Sequence, residues 1–214
     1  MFPENIGPYL SIDETSLSQG ELYTIITNKQ AKGRKGALVA IVKGIDADQI
    51  IDRLKTIKES KRFTVREITL DMSPTMVKIA KKSFPKATIV TDRFHVQQLA
   101  YDAVQEMRIA YRWEAIELEN KEIELAKRTK QKYIPDVLEN GDTLKQLLAR
   151  SRYILFKREN KWTPSQHTRA ELLFRYYPDL ELAYNLAMKL GEIYHTVKDK
   201  GVGFARLAKW YDEV

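Results

Sequence analysis

Apolar residues in the first hundred positions fall into short runs, and three of these runs carry an aspartate at or near their ends. The three aspartates are Asp13, Asp71 and Asp92. Short apolar runs that are rich in β-branched residues and bounded by polar residues are typical of β-strands. Because a strand end is a rigid platform, carboxylates gathered at one edge of a sheet form a suitable site for divalent cations.

Five strands are predicted in this region, with helices before and after the fourth. The strands cover residues 9–14, 21–27, 37–42, 65–70 and 87–91. The first three are close in sequence, which favours an antiparallel meander. Residues 46–57 and 73–84 carry apolar side chains at helical spacing, with Ser73 placed to cap the second helix and Pro74 in its first turn. This order predicts an α/β domain.

The pattern becomes all-helical beyond residue 93. Residues 96–132 have apolar positions among charges of both signs, as expected for one solvated helix or an antiparallel hairpin. A break is indicated at residues 135–142. Further helices are predicted at residues 143–151, 165–176, 179–199 and 203–214. We expect residues 1–105 to form the first part of an α/β core and residues 106–214 to form an all-α insertion domain, with the core completed beyond the C-terminus.

The predicted order of strands and helices can bring the three aspartates together. The fourth and fifth strands are each followed by a helix, so Asp71 and Asp92 should lie at the same edge of a parallel pair. Asp13 joins them if the first strand lies beside the fourth. The mixed sheet order 3-2-1-4-5 does this, and it is also the order of a ribonuclease-H-like fold. Two carboxylates on adjacent strands can bridge two Mg²⁺ ions about 3.5–4 Å apart, the geometry for in-line phosphoryl transfer.

Each aspartate also has a structural interpretation that does not involve a metal. Aspartate is common after strands because it caps turns and the following helices, which applies to both Asp71 and Asp92. Asp13 is harder to explain in this way, since Glu14 and not a turn residue follows it. An aspartate that points inward from an apolar strand is unfavourable unless it is paired or bound to a metal. Taken together, the three favour a metal site.

A histidine stands one helical turn after the third aspartate, in the string Asp92-Arg93-Phe94-His95. Its imidazole has several candidate roles: contacting the site, orienting Asp92 or binding a phosphate. The alternative is a half-buried histidine that packs within the helix. A zinc site is disfavoured, because the chain has three histidines and no cysteine to act as ligands.

The overall charge favours a polyanionic partner. Lysine and arginine number 36 against 29 acidic residues, giving a net charge of +7. Neutralisation of phosphates with counterion release drives such binding. The candidate DNA contacts are Lys29, Lys32, Arg34, Lys35, Lys161 and Trp162. A solvated loop is the alternative for the first four, and a core anchor is the alternative for the tryptophan.

Composition excludes several other classes. Without cysteine there are no disulfides, thiolate metal sites or cysteine nucleophiles, which fits a reducing cytoplasm. No apolar run approaches the ~20 residues that span a bilayer, and the N-terminus lacks the pattern of a secretory signal. Neither a phosphate-binding loop motif nor a serine-hydrolase elbow occurs. We therefore expect a cytoplasmic protein with no membrane partner.

The aspartate motifs resemble the catalytic region of bacterial insertion-sequence transposases of the DDE type. The resemblance is carried by Asp13 in Ser-Ile-Asp-Glu, Asp71 in Leu-Asp-Met-Ser and the Asp-x-x-His box from Asp92 to His95. This box is typical of one branch, which also resembles Mutator-type enzymes. In the helical half, residues 161–163 and 169–173 look like the helical insertion of those transposases. The resemblance covers essentially the whole chain.

The resemblance implies a ribonuclease-H-like core that uses two Mg²⁺ or Mn²⁺ ions to cut and join DNA at transposon ends. Asp13 and Asp71 would be the first two catalytic acids, whereas Asp92 and His95 would form the accessory box. The third acid of the family is a glutamate after the insertion, in a Glu-x-x-Asn context that does not occur here; Glu192 and Glu213 are helical acids outside it. We expect a central fragment or a truncated product, acting on transposon ends and target DNA as a homo-oligomer.

Two other functions stay open at this point. One is a different ribonuclease-H-like nuclease or resolvase that uses these aspartates with Glu192 or another local acid. The other is a non-catalytic DNA-binding or assembly module, in which the aspartates are structural and the helical half mediates oligomerisation.

Overall fold

A computed structural model describes residues 1–17 and 20–214 of the chain. It contains two compact units, Met1–Val96 and Gln97–Val214. The units follow the change from an α/β to an all-helical pattern in the sequence. The domain bounds 1–105 and 106–214 stay a prediction, as does completion of the core by further residues.

The first unit is built on a mixed five-stranded sheet. Its strands are β1 (Tyr9–Ser16), β2 (Leu22–Asn28), β3 (Leu38–Lys43), β4 (Glu67–Leu70) and β5 (Thr88–Thr91). The order is β3-β2-β1-β4-β5. The first three strands form an antiparallel meander, and β4 runs parallel to both β1 and β5. The predicted sheet order and the predicted fold class, a ribonuclease-H-like α/β fold with a helical region, are confirmed.

Three helices accompany this sheet: α1 (Ala47–Lys55), α2 (Glu59–Arg62) and α3 (Pro74–Ser83). The first begins where the sequence predicts, because the Asp46 side chain accepts a hydrogen bond from the Gln49 backbone N–H at 2.9 Å. Pro74 starts the third, as expected, but the Ser73 side chain makes no capping hydrogen bond. The second was not predicted, since four residues are too few to show an apolar period.

One face of the sheet packs against α1 and α3 to form the core of this unit. The fully buried side chains on the sheet side include Leu10, Ile12, Ile26 and Ile68. The helices contribute apolar residues at helical spacing: Ile50, Leu54, Met76 and Ile79. Because side chains alternate along a strand, the residues between these positions lie on the opposite face of the sheet.

The remaining helices are α4 (Arg93–Arg128), α5 (Leu144–Arg150), α6 (Pro164–Tyr176), α7 (Pro178–Thr196) and α8 (Lys200–Tyr211). The stretch predicted as a helix or a hairpin is therefore a single helix of 36 residues. Leucines from α5, α6 and α7 make up most of the second core, with Val104 from α4. Among residues 1–17 and 20–214, no helix is long and apolar enough to cross a membrane.

A buried aspartate connects the segments of the helical unit. Asp142, just before α5, is 1% exposed. Its carboxylate forms an ion pair with Arg150 at the end of α5 and a second with Arg169 in α6, where Nε and Oδ2 are 3.4 Å apart. A buried carboxylate is tolerated only when its charge is compensated in this way. These two ion pairs therefore link the predicted break at residues 135–142 to α5 and α6.

We predict that Asp142→Asn lowers the free energy of unfolding of the helical unit by about 3 kcal/mol, because it leaves two guanidinium groups without their anion. Urea denaturation followed by tryptophan fluorescence measures this unit alone, since all three tryptophans lie within Gln97–Val214. The matched control is Glu139→Gln, which removes an exposed pair with Arg175 and should cost less than about 1 kcal/mol. Equal losses in both variants would contradict a buried anchoring role for Asp142.

Candidate functional site

Parallel pairing of β4 with its two neighbours aligns the three predicted aspartates across the sheet. Ser11 of β1 pairs with Thr69 of β4, and each stands two residues before an aspartate. Extended by two residues beyond the last pair, the same register would bring Asp13 level with Asp71. On the other side Leu70 pairs with Thr91, and the Asp92 N–H donates to the Leu70 carbonyl at 2.7 Å. In this strand order and register Asp71 would fall between Asp13 and Asp92, and we call these three residues the aspartate row.

Each aspartate of this row uses one carboxylate oxygen in a local hydrogen bond. The Oδ1 atom of Asp13 accepts from the Glu14 N–H at 2.8 Å, and that of Asp71 accepts from the Ser73 N–H at 2.9 Å. The Oδ1 atom of Asp92 accepts from the Phe94 N–H at 2.9 Å. These bonds fix the backbone around each aspartate while occupying only one of its two oxygens.

The capping interpretation thus applies to two of the three residues. Asp92 caps the start of α4. Asp71 accepts a hydrogen bond from the Ser73 N–H in the turn before α3, where the Ser73 side chain makes no capping bond. A cap and a ligand are compatible roles, because a carboxylate offers about four acceptor positions.

The inward orientation expected for Asp13 is wrong. Asp13 is exposed, on the face opposite Leu10 and Ile12, which point into the core. Strand alternation accounts for this, since odd-numbered residues of β1 face away from the helices. Asp13 can therefore stand in an apolar strand because only one face of that strand is buried.

Electrostatics leave the centre of the row uncompensated. Neither Asp13 nor Asp71 forms an ion pair with a basic side chain in the described part of the chain. Carboxylate oxygens are the ligands that Mg²⁺ and Mn²⁺ prefer, so this pair fits such an ion. No group of three or more acidic, histidine or cysteine side chains is placed to hold a metal among residues 1–17 and 20–214.

His95 lies in the first turn of α4, one turn beyond Asp92. It is partly buried, and its ring meets the Phe94 ring edge-on with centroids 5.6 Å apart. This contact fits the packing interpretation and leaves the proposed roles towards the site untested.

Beside the aspartate row, the same face of the sheet carries a second polar row that the sequence analysis missed. The hydroxyls of Ser11 and Thr27 are 2.8 Å apart, and the Lys29 ammonium donates to the Thr69 hydroxyl at 2.7 Å. Thr69 is only 5% exposed. The signal was present as Ser-x-Asp and Thr-x-Asp in two apolar strands, because residues two apart share a face.

The structure separates Lys29 from the other basic residues of its loop. Lys29 reaches across β1 to β4, whereas Lys32, Arg34 and Lys35 are exposed on a connection that begins where β2 ends, opposite the start of β1. Asp13 lies towards the other end of β1. Lys29 therefore contacts the strand that leads to Asp71.

In the helical unit, Trp162 is a packing residue. Its indole N–H donates to the Ile154 carbonyl at 3.1 Å, and its ring lies 5.5 Å from that of Tyr184 and 5.2 Å from that of His167. Burial raises the pKa of Tyr184, whose hydroxyl donates to the Lys157 carbonyl at 2.8 Å. The core-anchor interpretation accounts for these contacts. Lys161 beside it is exposed, and a DNA contact by either residue stays a prediction.

Comparison with known proteins gives one family. No match was found among curated proteins. A family model described as Transposase, of the ISL3 insertion-sequence type, matches residues 10–214, which is nearly the whole chain and includes both units. Transposases cut and join DNA, so this match is in line with the basic charge and with a row of carboxylates at a sheet edge. The chain belongs to the ISL3 family of insertion-sequence transposases.

Proposed function

We propose that the aspartate row is the catalytic edge of a DDE-type transposase with an Asp-x-x-His box, and that it cleaves and transfers DNA strands at transposon ends. The observation that carries the proposal is the parallel register of β4 with β1 and β5, because its extension beyond Thr69 and Leu70 supports a position for Asp71 between Asp13 and Asp92. Such a row on rigid strands is pre-organised to hold charge at a fixed position, which is what phosphoryl transfer requires. Transposition brings two transposon ends together, and the proposal therefore includes a homo-oligomer.

Asp13 and Asp71 are the proposed metal ligands. The Mg²⁺ or Mn²⁺ ions of a two-metal site would supply an activated water or 3′-hydroxyl and stabilise the leaving oxygen. The bond from the Ser73 N–H holds the Asp71 carboxylate in place, and the exposed side of Asp13 leaves room for the DNA strand. By holding the cations at the sheet edge, these side chains would fix the place where the reacting phosphate binds.

Asp92 and His95 take accessory roles in this proposal. Asp92 caps α4 and so fixes the position of His95, one turn further on. An imidazole N–H at that place is suited to donating a hydrogen bond to a phosphate oxygen. The third acid of the DDE set stays unassigned: Glu213 is engaged with Lys189, and Glu192 lies in the helical unit.

Lys29 is the proposed phosphate contact next to the metal ligands. Thr69, which accepts its hydrogen bond, precedes Asp71 by two residues, or about 7 Å along the strand. An ammonium at that distance can contact a phosphate flanking the scissile one without displacing a metal from the carboxylates. It also offsets part of the negative charge that the aspartates add to that of the DNA.

We predict that the double variant Asp13→Asn/Asp71→Asn loses Mn²⁺ binding in isothermal titration calorimetry, whereas the wild-type chain binds. Asparagine keeps an oxygen that accepts from the Ser73 N–H, so the variant should remain folded. It removes both anionic ligands, which a hard cation requires.

The control for this experiment is Glu14→Gln. Glu14 is the next residue of β1 and its side chain points to the other face, so its removal should leave Mn²⁺ binding intact. Equal Mn²⁺ binding in wild type and in the double variant would contradict the proposed site. It would favour the alternative in which the chain binds DNA or assembles without catalysis.

We predict that Lys29→Gln weakens binding to duplex DNA about fivefold to tenfold at about 0.1 M salt, because it removes one phosphate contact. Glutamine can still donate to the Thr69 hydroxyl, which keeps the local structure. Mn²⁺ binding should be unchanged, since Lys29 is not a ligand. Fluorescence anisotropy with labelled duplex gives the affinity, and calorimetry gives the metal binding.

Lys35→Gln is the matched control, with the same charge change at an exposed position of the same connection. A loss of DNA affinity equal to that of Lys29→Gln would show that only the overall charge matters and would remove Lys29 from the site.

A further inference from the structure

Three arginines meet in the helical unit where α4 passes the turn after α5. Arg108 of α4 is 5% exposed. Its Nε donates to the Gln105 Oε1 at 2.8 Å, and its Nη1 donates to the Leu148 carbonyl at 3.0 Å. Gln105 in turn donates from Nε2 to the Arg152 carbonyl at 3.1 Å. The buried guanidinium is thus tied to α5 and, through Gln105, to the turn that carries Arg152.

This cluster is not neutralised by the chain itself. Both acceptors of Arg108 are uncharged, and none of the three arginines forms an ion pair within residues 1–17 and 20–214. The pKa of Arg108 is lowered, first by burial and then by the positive charges of Arg152 and Arg112. Burying a cation near two others without an anion costs free energy. The arrangement therefore presents a concentrated positive potential to the solvent.

The two outer members of the cluster are available for contact. Arg112 follows Arg108 by four residues, so the two lie on the same side of α4, about 6 Å apart along its axis. Both Arg112 and Arg152 are exposed. The Arg152 guanidinium lies 5.5 Å from the ring centre of Tyr153, which is itself 68% exposed. A guanidinium group supported in this way is a bidentate donor for phosphate oxygens.

We propose that Arg108, Arg112 and Arg152 form a phosphate-binding surface for duplex DNA on the helical unit. Arg112 and Arg152 contact neighbouring phosphates, while Arg108 raises the potential behind them and fixes the turn. The proposal deepens the proposed function and rests on it for the choice of DNA as the partner. It does not depend on the metal site, because phosphate contacts of this kind are electrostatic and need no cation.

The test is the double variant Arg112→Gln/Arg152→Gln, with affinity for a short duplex of arbitrary sequence measured by anisotropy in EDTA over a series of salt concentrations. Loss of two phosphate contacts should reduce the slope of log affinity against log salt by about 1.8. At about 0.1 M salt the affinity should fall by one to two orders of magnitude. Folding is preserved, since Gln105 is bonded to the backbone of Arg152 and not to its side chain.

The matched control is Lys121→Gln/Lys127→Gln, which removes the same charge from exposed positions of the same helix. Its affinity should stay close to that of wild type. Equal losses in both double variants, or no loss in the arginine variant, would overturn the proposal. The proposal would also be overturned if a polyglutamate peptide displaced the labelled duplex as effectively as unlabelled DNA does. That result would assign the surface to an acidic protein. Because EDTA removes metal ions, this experiment can contradict the arginine surface without contradicting the proposed Mn²⁺ site.

Discussion

The parallel pairing of β1 with β4 is the constraint on which the candidate site depends. These strands are distant in sequence, and their register alone decides whether Asp13 and Asp71 meet. A slip of one residue would turn every side chain of one strand to the other face. The buried residues Leu10, Ile12, Ile68 and Leu70 prevent this, because such a slip would expose them. The apolar core on one face of the sheet thus sets the position of the carboxylates on the other.

Most of this arrangement can be predicted from sequence, because it follows from local patterns. Five short apolar runs with two helices between the last three define the strand order, and the right-handed crossover rule leaves few ways to connect them. Local patterns did not decide between one helix and a hairpin for the stretch that ends at Arg128, because charges of both signs suit both structures equally. The start of α1 is decided within one turn, since the Asp46 side chain accepts a hydrogen bond from the Gln49 N–H.

The features that sequence reasoning missed are contacts between distant residues. Lys29 and Thr69 are 40 positions apart, and Arg108 and Leu148 are equally distant in sequence. No periodicity marks such pairs, because each depends on the register or packing of two whole elements. The inward orientation expected for Asp13 was wrong for a related reason: one face of this sheet is not covered by α1 and α3, and Asp13 lies on that face. Alternation of Ser11 and Asp13 with buried neighbours carried the correct signal.

Among residues 1–17 and 20–214, two sets of like-charged side chains form no ion pair with a side chain of opposite charge. One set is Asp13 and Asp71 of the aspartate row, and the other is the buried Arg108 with Arg112 and Arg152. Elsewhere the same fold compensates a buried charge, as it does for Asp142 with two arginines. In the Asp142 cluster, the buried charge is thus neutralised by side chains of the chain itself. Under the proposed functions, an external ion of opposite sign would complete each set, a cation at the carboxylates and a phosphate at the arginines.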